Sequence, residues 1–187
     1  MSPILKGVVA SQISGHLSNN SYESIATVVL SSATNTVTFS SIPSTYKHLQ
    51  LRSTHLSSGS DNNIMLRFNN DSGNNYSEHA VYGSGTAAAA YSTTSCSFAT
   101  AGYTADATYP APSICDILDY ANTNKNKTVR ALGGSDRNNT GVQYITFNSS
   151  AWYNTAAINR IDIVHGNIAG GKVFNTYSSF ALYGIKG

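Results

Sequence analysis

The sequence predicts an all-β fold, an antiparallel, jelly-roll-like β-sandwich of about ten strands. Helical periodicity, with apolar residues at i, i+3, i+4 and i+7, is almost absent from the 187 residues. Short runs of Val, Ile, Tyr, Phe and Thr recur along the chain, separated by clusters of Asn, Gly, Ser and Asp. Many short strands in a chain long enough for one core are typical of a sandwich, jelly roll or barrel.

The candidate strands follow one another at short intervals, and we expect one or two to merge or fail. They lie at 22–31, 36–41, 47–56, 63–69, 76–84, 91–99, 112–120, 127–134, 142–153, 157–164 and 173–185. Three of them alternate cleanly between apolar and polar residues, as half-buried strands do. The predicted inward sets are Leu49 and Leu51; Ile64, Leu66 and Phe68; and Ile161 and Ile163. The opposite faces carry His48, Gln50 and Arg52; Met65 and Arg67; and Arg160, Asp162 and Val164.

The last candidate strand carries apolar residues on both faces. Phe180 and Leu182 share one face, and Tyr183 and Ile185 share the other. A strand that is apolar on both faces needs cover on both faces. We therefore expect it to lie inside a sheet or against a partner, and we expect truncation at Tyr177 to abolish folding.

The connections and the N-terminal segment divide the chain into an arm and one domain. Residues 69–75 are dense in Asn, Asp and Gly, which tolerate positive φ in turns. Residues 85–95 contain four alanines but no helix cap, charge pair or apolar stripe, so we expect an extended excursion. Residues 1–18 precede the first strand and predict an extended N-terminal attachment arm, which spans on the order of 60 Å when fully extended. Residues 19–187 predict a single β-sandwich domain.

The composition indicates a nearly neutral surface. Charged residues make up 11% of the chain, against about a quarter in typical proteins, and the formal net charge is +2. Lys and Arg are dispersed, so no basic patch predicts binding of nucleic acid. No apolar run approaches the roughly 18 residues of a membrane span, and the N-terminal residues lack the apolar region of a signal peptide. We therefore expect no nucleic-acid or membrane partner, and so neutral a surface is typical of a protein packed into an assembly.

Patterns that carry catalysis or hold metals are missing from the sequence. None of the five histidines stands three or four residues from another His or a Cys, as zinc ligands do. Adjacent Glu78 and His79 fall on opposite faces of a strand and cannot form an acid–base pair alone. Asp116 and Asp119 also fall on opposite faces of a regular strand; a glycosidase pair has no support, and Asp116 can instead be an inward acid beside a hydroxyl or Arg130. We expect no catalytic residue, no cofactor and no enzymatic activity.

Two further features have a simple structural interpretation. Residues 69–75 resemble a calcium loop, but Gly73 follows Asp71 too closely and Glu78 lies outside the frame, so a tight turn without metal is favoured. Cys96 and Cys115 are the only cysteines and can pair, but two buried thiols in a reducing compartment are favoured.

The aromatic residues are the more informative set for binding. The chain contains 12 Tyr, 6 Phe and 1 Trp among Asn- and Ser-rich loops. This composition fits a sugar-binding surface, a protein-binding surface or an oligomer interface. Trp152 can stack on a sugar, but a place in the core or at a subunit interface is favoured. We include Trp152 and Tyr153 among the candidate partner-binding residues.

Four stretches together resemble a known family. They are "FSSIPSTYKHLQLRS" at 39–53, "LRFNNDSGNNYSEHAVYGSG" at 66–85, "CDILDYANTNKNKTVRALGG" at 115–134 and "YSSFALYGIKG" at 177–187. In this combination the chain is similar to small, β-rich virion structural proteins of tailed phages, including cyanophages. The resemblance covers most of the chain after the arm and carries over no catalytic residue.

The resemblance implies a non-enzymatic virion protein that is assembled in the host cytoplasm. The favoured role is a capsid decoration or cement protein, a homotrimer that binds the major capsid protein or other virion proteins. The alternative is a tail or fibre component with a carbohydrate-binding, receptor-binding head. In either role the arm would bind a partner, for example by strand addition to an exposed edge. Its apolar candidates for that contact are Pro3, Ile4, Leu5, Val8, Val9 and Ile13.

Overall fold

A computed structural model describes residues 21–59, 63–103, 106–136 and 143–187. The predicted arm at 1–18 lies outside these residues. The described part of the chain consists of strands, turns and loops. The strands are β1 (Tyr22–Val29), β2 (Thr36–Phe39), β3 (His48–His55), β4 (Asn63–Phe68), β5 (Tyr76–Gly83), β6 (Ala88–Cys96), β7 (Ala99–Tyr103), β8 (Ala111–Leu118), β9 (Lys127–Ser135), β10 (Tyr144–Trp152), β11 (Ile161–His165) and β12 (Ser179–Ile185).

The strands form two antiparallel sheets, which confirms the predicted β-sandwich. The large sheet has eight strands in the order β1-β12-β3-β8-β9-β10-β5-β6, and the small sheet has four in the order β2-β11-β4-β7. Every registered strand pair is antiparallel. The chain crosses repeatedly between the sheets, so strands distant in sequence share one core.

The region around the four alanines differs from the prediction in its boundaries. The alanines are extended, as expected, but most of them belong to β6, where Ala88 pairs with Gly83 of β5. Ser95 has a φ of 59°, and the chain then leaves the large sheet and enters the small sheet as β7. The candidate strand at 91–99 therefore combines the end of β6 with this crossing.

The core lies between the sheets and contains every predicted inward residue. Leu49, Leu51, Ile64, Leu66, Phe68, Ile161 and Ile163 are all at most 1% exposed. Gln50, Asp162 and Val164 lie on the faces opposite these inward residues, as predicted, but they are buried rather than exposed to solvent. Asp162 is covered by the Arg160 guanidinium and accepts a hydrogen bond from Thr38. The amide of Gln50 donates to Asp116 at 2.7 Å, so a polar partner offsets the cost of its burial.

The closing strand β12 lies inside the large sheet, as its two apolar faces predict. It pairs with β1 on one side and with β3 on the other. Phe180 and Leu182 are fully buried in the core. On the opposite face the guanidinium of Arg52 lies 5.3 Å from the centroid of the Tyr183 ring. The C-terminal strand is therefore buried on its core face and half-buried on its outer face.

Two histidines are buried at one end of the core, around Phe174. The His165 ring centroid lies 5.3 Å from that of Phe174, and the His55 ring centroid lies 5.8 Å from it. His165 Nδ1 accepts from the Asn167 backbone N–H, and Nε2 lies 2.7 Å from the Ser57 hydroxyl. Burial lowers the pKa of His55 and of His165 to about 4. Both imidazoles are therefore neutral at pH 7.

A fully buried lysine connects two loops beside the core. The Lys127 ammonium donates to the carbonyls of Asn122, Lys125 and Thr155 at 2.5, 3.0 and 3.0 Å. Three acceptors match its three N–H donors, so the buried charge has a complete set of partners. Burial lowers the pKa of Lys127.

Candidate functional site

The residue pairs that the sequence offers for acid–base chemistry do not converge. Glu78 and His79 point to opposite faces of β5, as expected. Glu78 is 4% exposed and lies between the sheets, whereas His79 is exposed on the outer face. Glu78 accepts hydrogen bonds from Thr100 and Tyr91, and burial raises its pKa. The Glu78 carboxyl therefore belongs to an interior hydrogen-bond network, and the His79 side chain lies on the other face of the sheet.

Asp116 and Asp119 are held by different partners. Asp119 follows the end of β8 with a φ of 49° and makes ion pairs with Lys125 and Lys47. Hydrogen bonds from these lysines lower its pKa to about 2. Asp116 is half-buried on the outer face of the large sheet, so the alternative of an inward acid was wrong. It accepts from Gln50, opposite which it lies, and it also pairs in register with Arg130.

The loop at 69–75 is a tight turn organised by Asp71. Its carboxylate accepts from the Gly73 backbone N–H at 2.9 Å, from the Asn75 amide and from the Trp152 indole N–H at 2.7 Å. Asn69 and Asn70 adopt φ values of 51° and 62°. Asp71 Oδ1 and Oδ2 thus both bind donors from the chain itself.

The candidate partner-binding residues lie in different places. Trp152 is 1% exposed and stacks with Tyr76 in the core, so its indole offers no face to a sugar or a partner. The core was the favoured alternative for Trp152. Tyr153 is 56% exposed, and its hydroxyl lies 2.8 Å from that of Ser77. The arm candidates Pro3, Ile4, Leu5, Val8, Val9 and Ile13 lie outside the described residues.

The outer face of the large sheet carries a line of exposed apolar side chains. Ile114, Leu132, Phe147 and Val81 lie directly opposite one another on β8, β9, β10 and β5. They are 46–55% exposed, and Ile145, two residues from Phe147, is 64% exposed. We call these five residues the apolar row. Apolar side chains that form a contiguous patch mark an interaction surface far more often than single ones do.

The apolar row has a polar border and a shallow cavity. Two residues along each strand, Asp116, Arg130, Ser149 and His79 form a parallel polar line. Beside Ile145 lies an open cavity of about 650 Å³. Four glycines and Pro112 contribute to its lining, so backbone is accessible there. An exposed apolar strip beside an open depression is suited to contact with a protein surface.

A second concave site lies on the inner face of the large sheet, where β6 has no opposing strand. Its lining consists of Tyr82, Tyr91, Tyr103, Tyr144, Asn63 and Thr146, and its volume is about 220 Å³. We call it the tyrosine cleft. Ala88, Ala89 and Ala90 are all exposed, which shows that both faces of β6 are accessible at this end. The cleft is therefore open to solvent at the edge of the sandwich.

The interior next to the tyrosine cleft is polar. Thr146, Asn148 and Ser150 point inward from β10 and are at most 6% exposed. Ser150 accepts from the backbone N–H of Thr100 at 3.2 Å. The Tyr91 hydroxyl donates to Glu78 and accepts from Asn148 and Asn63, and burial raises the pKa of Tyr91 to about 12. Buried polar groups are thus grouped at this end of the core rather than scattered through it.

The residue pattern of β10 is one reason that neither the apolar row nor the tyrosine cleft was predicted from the sequence. A half-buried strand normally points apolar residues inward and polar residues outward. Along β10 the alternation is reversed, because Ile145 and Phe147 face outward while Thr146 and Asn148 face inward. The signal was present as an alternating run, but assigning its faces needs the sheet register. The tyrosines of the cleft come from four strands and show no pattern in sequence.

Cysteines, metal ligands and membrane spans give no further site among the described residues. Cys96 and Cys115 are buried free thiols, as favoured, and burial raises the pKa of each. Within the described ranges no group of three His, Cys, Asp or Glu side chains can hold a metal ion. No helix in that part of the chain is long and apolar enough to cross a membrane. The chain matches no protein-family model, and no curated protein is significantly similar to it.

Proposed function

We propose that the chain is a non-enzymatic structural protein of a tailed-phage virion, and that it decorates and cements the capsid shell. The observation that carries this proposal is the apolar row. Its four aligned residues span four adjacent strands, and each is about half exposed. A monomer that stays in solution gains nothing from such a strip, whereas a protein bound to a shell buries it.

The occupant that we assign to the apolar row is a subunit of the capsid shell. The strip contains no charge, and charged residues make up only 11% of the whole chain. A contact built from apolar and hydroxyl groups is little affected by salt, unlike one built from exposed ion pairs. Each copy needs only modest affinity, because many copies and several contacts per copy multiply the effect.

The remaining parts of the proposal follow from this placement. The arm at 1–18 would extend the attachment to a neighbouring capsid subunit, through its apolar residues. Cyclic symmetry is the usual way in which identical subunits close an assembly, and we propose a trimer. The protein would act in the virion, which is assembled in the host cytoplasm.

A tail or fibre component with a receptor-binding head is the second candidate. The observation that favours it is the tyrosine cleft, since clefts with aromatic walls and a few polar groups are typical ligand sites. A tail protein would be present in few copies per particle and would be needed at adsorption. Recombinant protein that binds host cells and blocks adsorption would support this placement.

A particle-binding assay tests the decoration proposal through the apolar row. Full-length protein is added to capsids that lack it, and the bound fraction is measured after sedimentation. Leu132→Arg should lower the affinity at least about tenfold, because a charge replaces the centre of an apolar contact. Val29→Arg is the matched control: Val29 is 62% exposed on β1 of the same sheet, four strands from Leu132 and about 19 Å away.

The control variant should bind like the wild type. Near-UV circular dichroism of both variants establishes that each retains the native fold. Equal binding of Leu132→Arg and Val29→Arg would contradict the assignment of the apolar row. Wild-type protein that binds tails but not capsids would replace decoration with the tail placement.

A further inference from the structure

We propose that the tyrosine cleft binds a single neutral sugar ring, a pyranose unit of a glycan. This inference does not depend on whether the protein sits on a capsid or on a tail. The cleft has a volume of about 220 Å³. Pockets for drug-sized ligands measure roughly 300–1,000 Å³, so the tyrosine cleft has room for one ring rather than for a buried oligosaccharide.

The walls of the cleft are four tyrosine rings in a continuous chain. The Tyr82 ring centroid lies 6.3 Å from that of Tyr91 and 5.8 Å from that of Tyr144. The Tyr144 and Tyr103 centroids are 4.6 Å apart. Neighbouring rings are tilted by 53–65°, so their faces point in several directions. A pyranose presents C–H groups on its faces, and these pack on the electron-rich face of an aromatic ring.

The polar side of the cleft offers hydrogen bonds to the hydroxyl rim of a sugar. Asn63, Thr146 and the tyrosines other than Tyr91 supply polar atoms to the lining. The Tyr91 hydroxyl donates to Glu78 and accepts from Asn63 and Asn148, so its hydrogen-bonding capacity is used within the chain and its ring is held in place as a wall of the cleft.

The charges around the cleft favour a neutral ligand. None of the six lining side chains is charged. Among the described residues, the carboxyl of the adjoining network is that of Glu78, which is buried and already accepts from Thr100 and Tyr91. A cation held by aromatic rings is the competing ligand class, because tyrosine faces attract quaternary ammonium groups. That class would gain from an accessible carboxylate, which the lining does not provide.

Saturation-transfer NMR on the full-length chain tests the proposal. A panel of neutral monosaccharides is screened, and every sugar that receives saturation is titrated for its dissociation constant. Tyr144→Leu removes the ring that contacts both Tyr82 and Tyr103 and should weaken binding about tenfold. Tyr82→Leu removes an aromatic wall and should weaken it by a similar factor. Tyr177→Phe is the matched control, since Tyr177 is 81% exposed and lies outside the cleft.

The outcomes separate the proposal from its competitors. Binding of a neutral sugar that both cleft variants weaken and Tyr177→Phe leaves unchanged supports the proposal. No saturation of any neutral sugar by natively folded protein would overturn it. Sugar binding that neither cleft variant alters would also overturn it, because the site would lie elsewhere. Saturation transfer to tetramethylammonium, but to no neutral sugar, would assign the cleft to cations instead.

Discussion

The two buried histidines predict that acid unfolds this domain over a defined pH range. His55 and His165 have pKa values of about 4 in the folded chain, against an ordinary value of 6.5. Between pH 4 and pH 6.5 the histidines of the unfolded chain bind protons that those of the folded chain do not bind. The free energy of unfolding therefore falls as the pH falls from 6.5 to 4, and the loss from these groups ends below about pH 4.

The size of this effect follows from the two pKa values. Each histidine removes about 1.4 kcal/mol of stability per pH unit inside the window, and about 3 kcal/mol over the whole of it. Both side chains are fully buried, so solvent does not screen the effect. The hydrogen bonds of His165 also disfavour its protonation in the folded chain. Its Nδ1 accepts from the Asn167 N–H, and a proton added at Nδ1 would break that hydrogen bond.

Other groups that titrate near this pH range also affect stability, and comparing variants with the wild type cancels their contributions. Glu78 has a raised pKa because of its burial, so its protonation favours the folded state as the pH falls. Asp119 has a pKa of about 2, so its contribution is lost only at lower pH, below its ordinary value of 3.8. These effects are common to the wild type and to histidine variants. The difference between their pH profiles therefore isolates one histidine at a time.

Urea unfolding at several pH values between 4 and 7 measures the prediction. His55→Phe keeps the ring that stacks with Phe180 and removes the titration, and His165→Gln keeps a donor for Ser57. Each variant should lower the slope of stability against pH by about 1.4 kcal/mol per unit. Val29→Ala, at an exposed site without a titrating group, is the control and should leave the slope unchanged. Superimposable profiles for all four proteins would refute the reasoning.

The other predictions concern the closing strand, the buried lysine and the turn at Asp71. Truncation at Tyr177 removes a strand from inside the large sheet and should leave a chain with no cooperative thermal transition; a soluble truncation that melts cooperatively would contradict this. Gly184→Ala should lower the free energy of unfolding by about 1–3 kcal/mol in urea titrations, because a Cβ there overlaps the Tyr46 ring. Lys127→Met should cost roughly 3 kcal/mol by the same measurement, since three buried carbonyls lose their donor; an unchanged midpoint would show that they find others. Calcium or a chelator should leave the melting temperature unchanged, because both Asp71 oxygens already accept from the chain, and a rise with calcium would contradict the tight-turn interpretation.

The fold could be predicted from the sequence because local signals and burial agreed in most strands. The two apolar faces of β12 predicted its internal position, and the alternation of Ile64, Leu66 and Phe68 predicted the face of β4 that meets the core. Prediction failed where a strand is covered on both sides. Asp162 and Val164 alternate as outward residues, yet β11 is buried throughout because β2 and β4 flank it and a guanidinium covers its polar face.

The candidate sites were harder to predict because they depend on register and on strands distant in sequence. The apolar row needs β8, β9, β10 and β5 in their observed alignment before its members become neighbours. The sequence allows Trp152 to stack on a sugar and favours a place in the core or at a subunit interface; Asp71 and Tyr76 hold it in the core. The aromatic cleft that is open to solvent is lined by tyrosines instead.

The number of copies per particle tests the proposed function most directly. Purified virions are separated on a stained gel or analysed by quantitative mass spectrometry, and this chain is measured against the major capsid protein. A decoration protein that covers the shell should be present at a ratio comparable to that of the capsid subunit. A ratio corresponding to a handful of copies per virion would contradict decoration and place the protein in the tail.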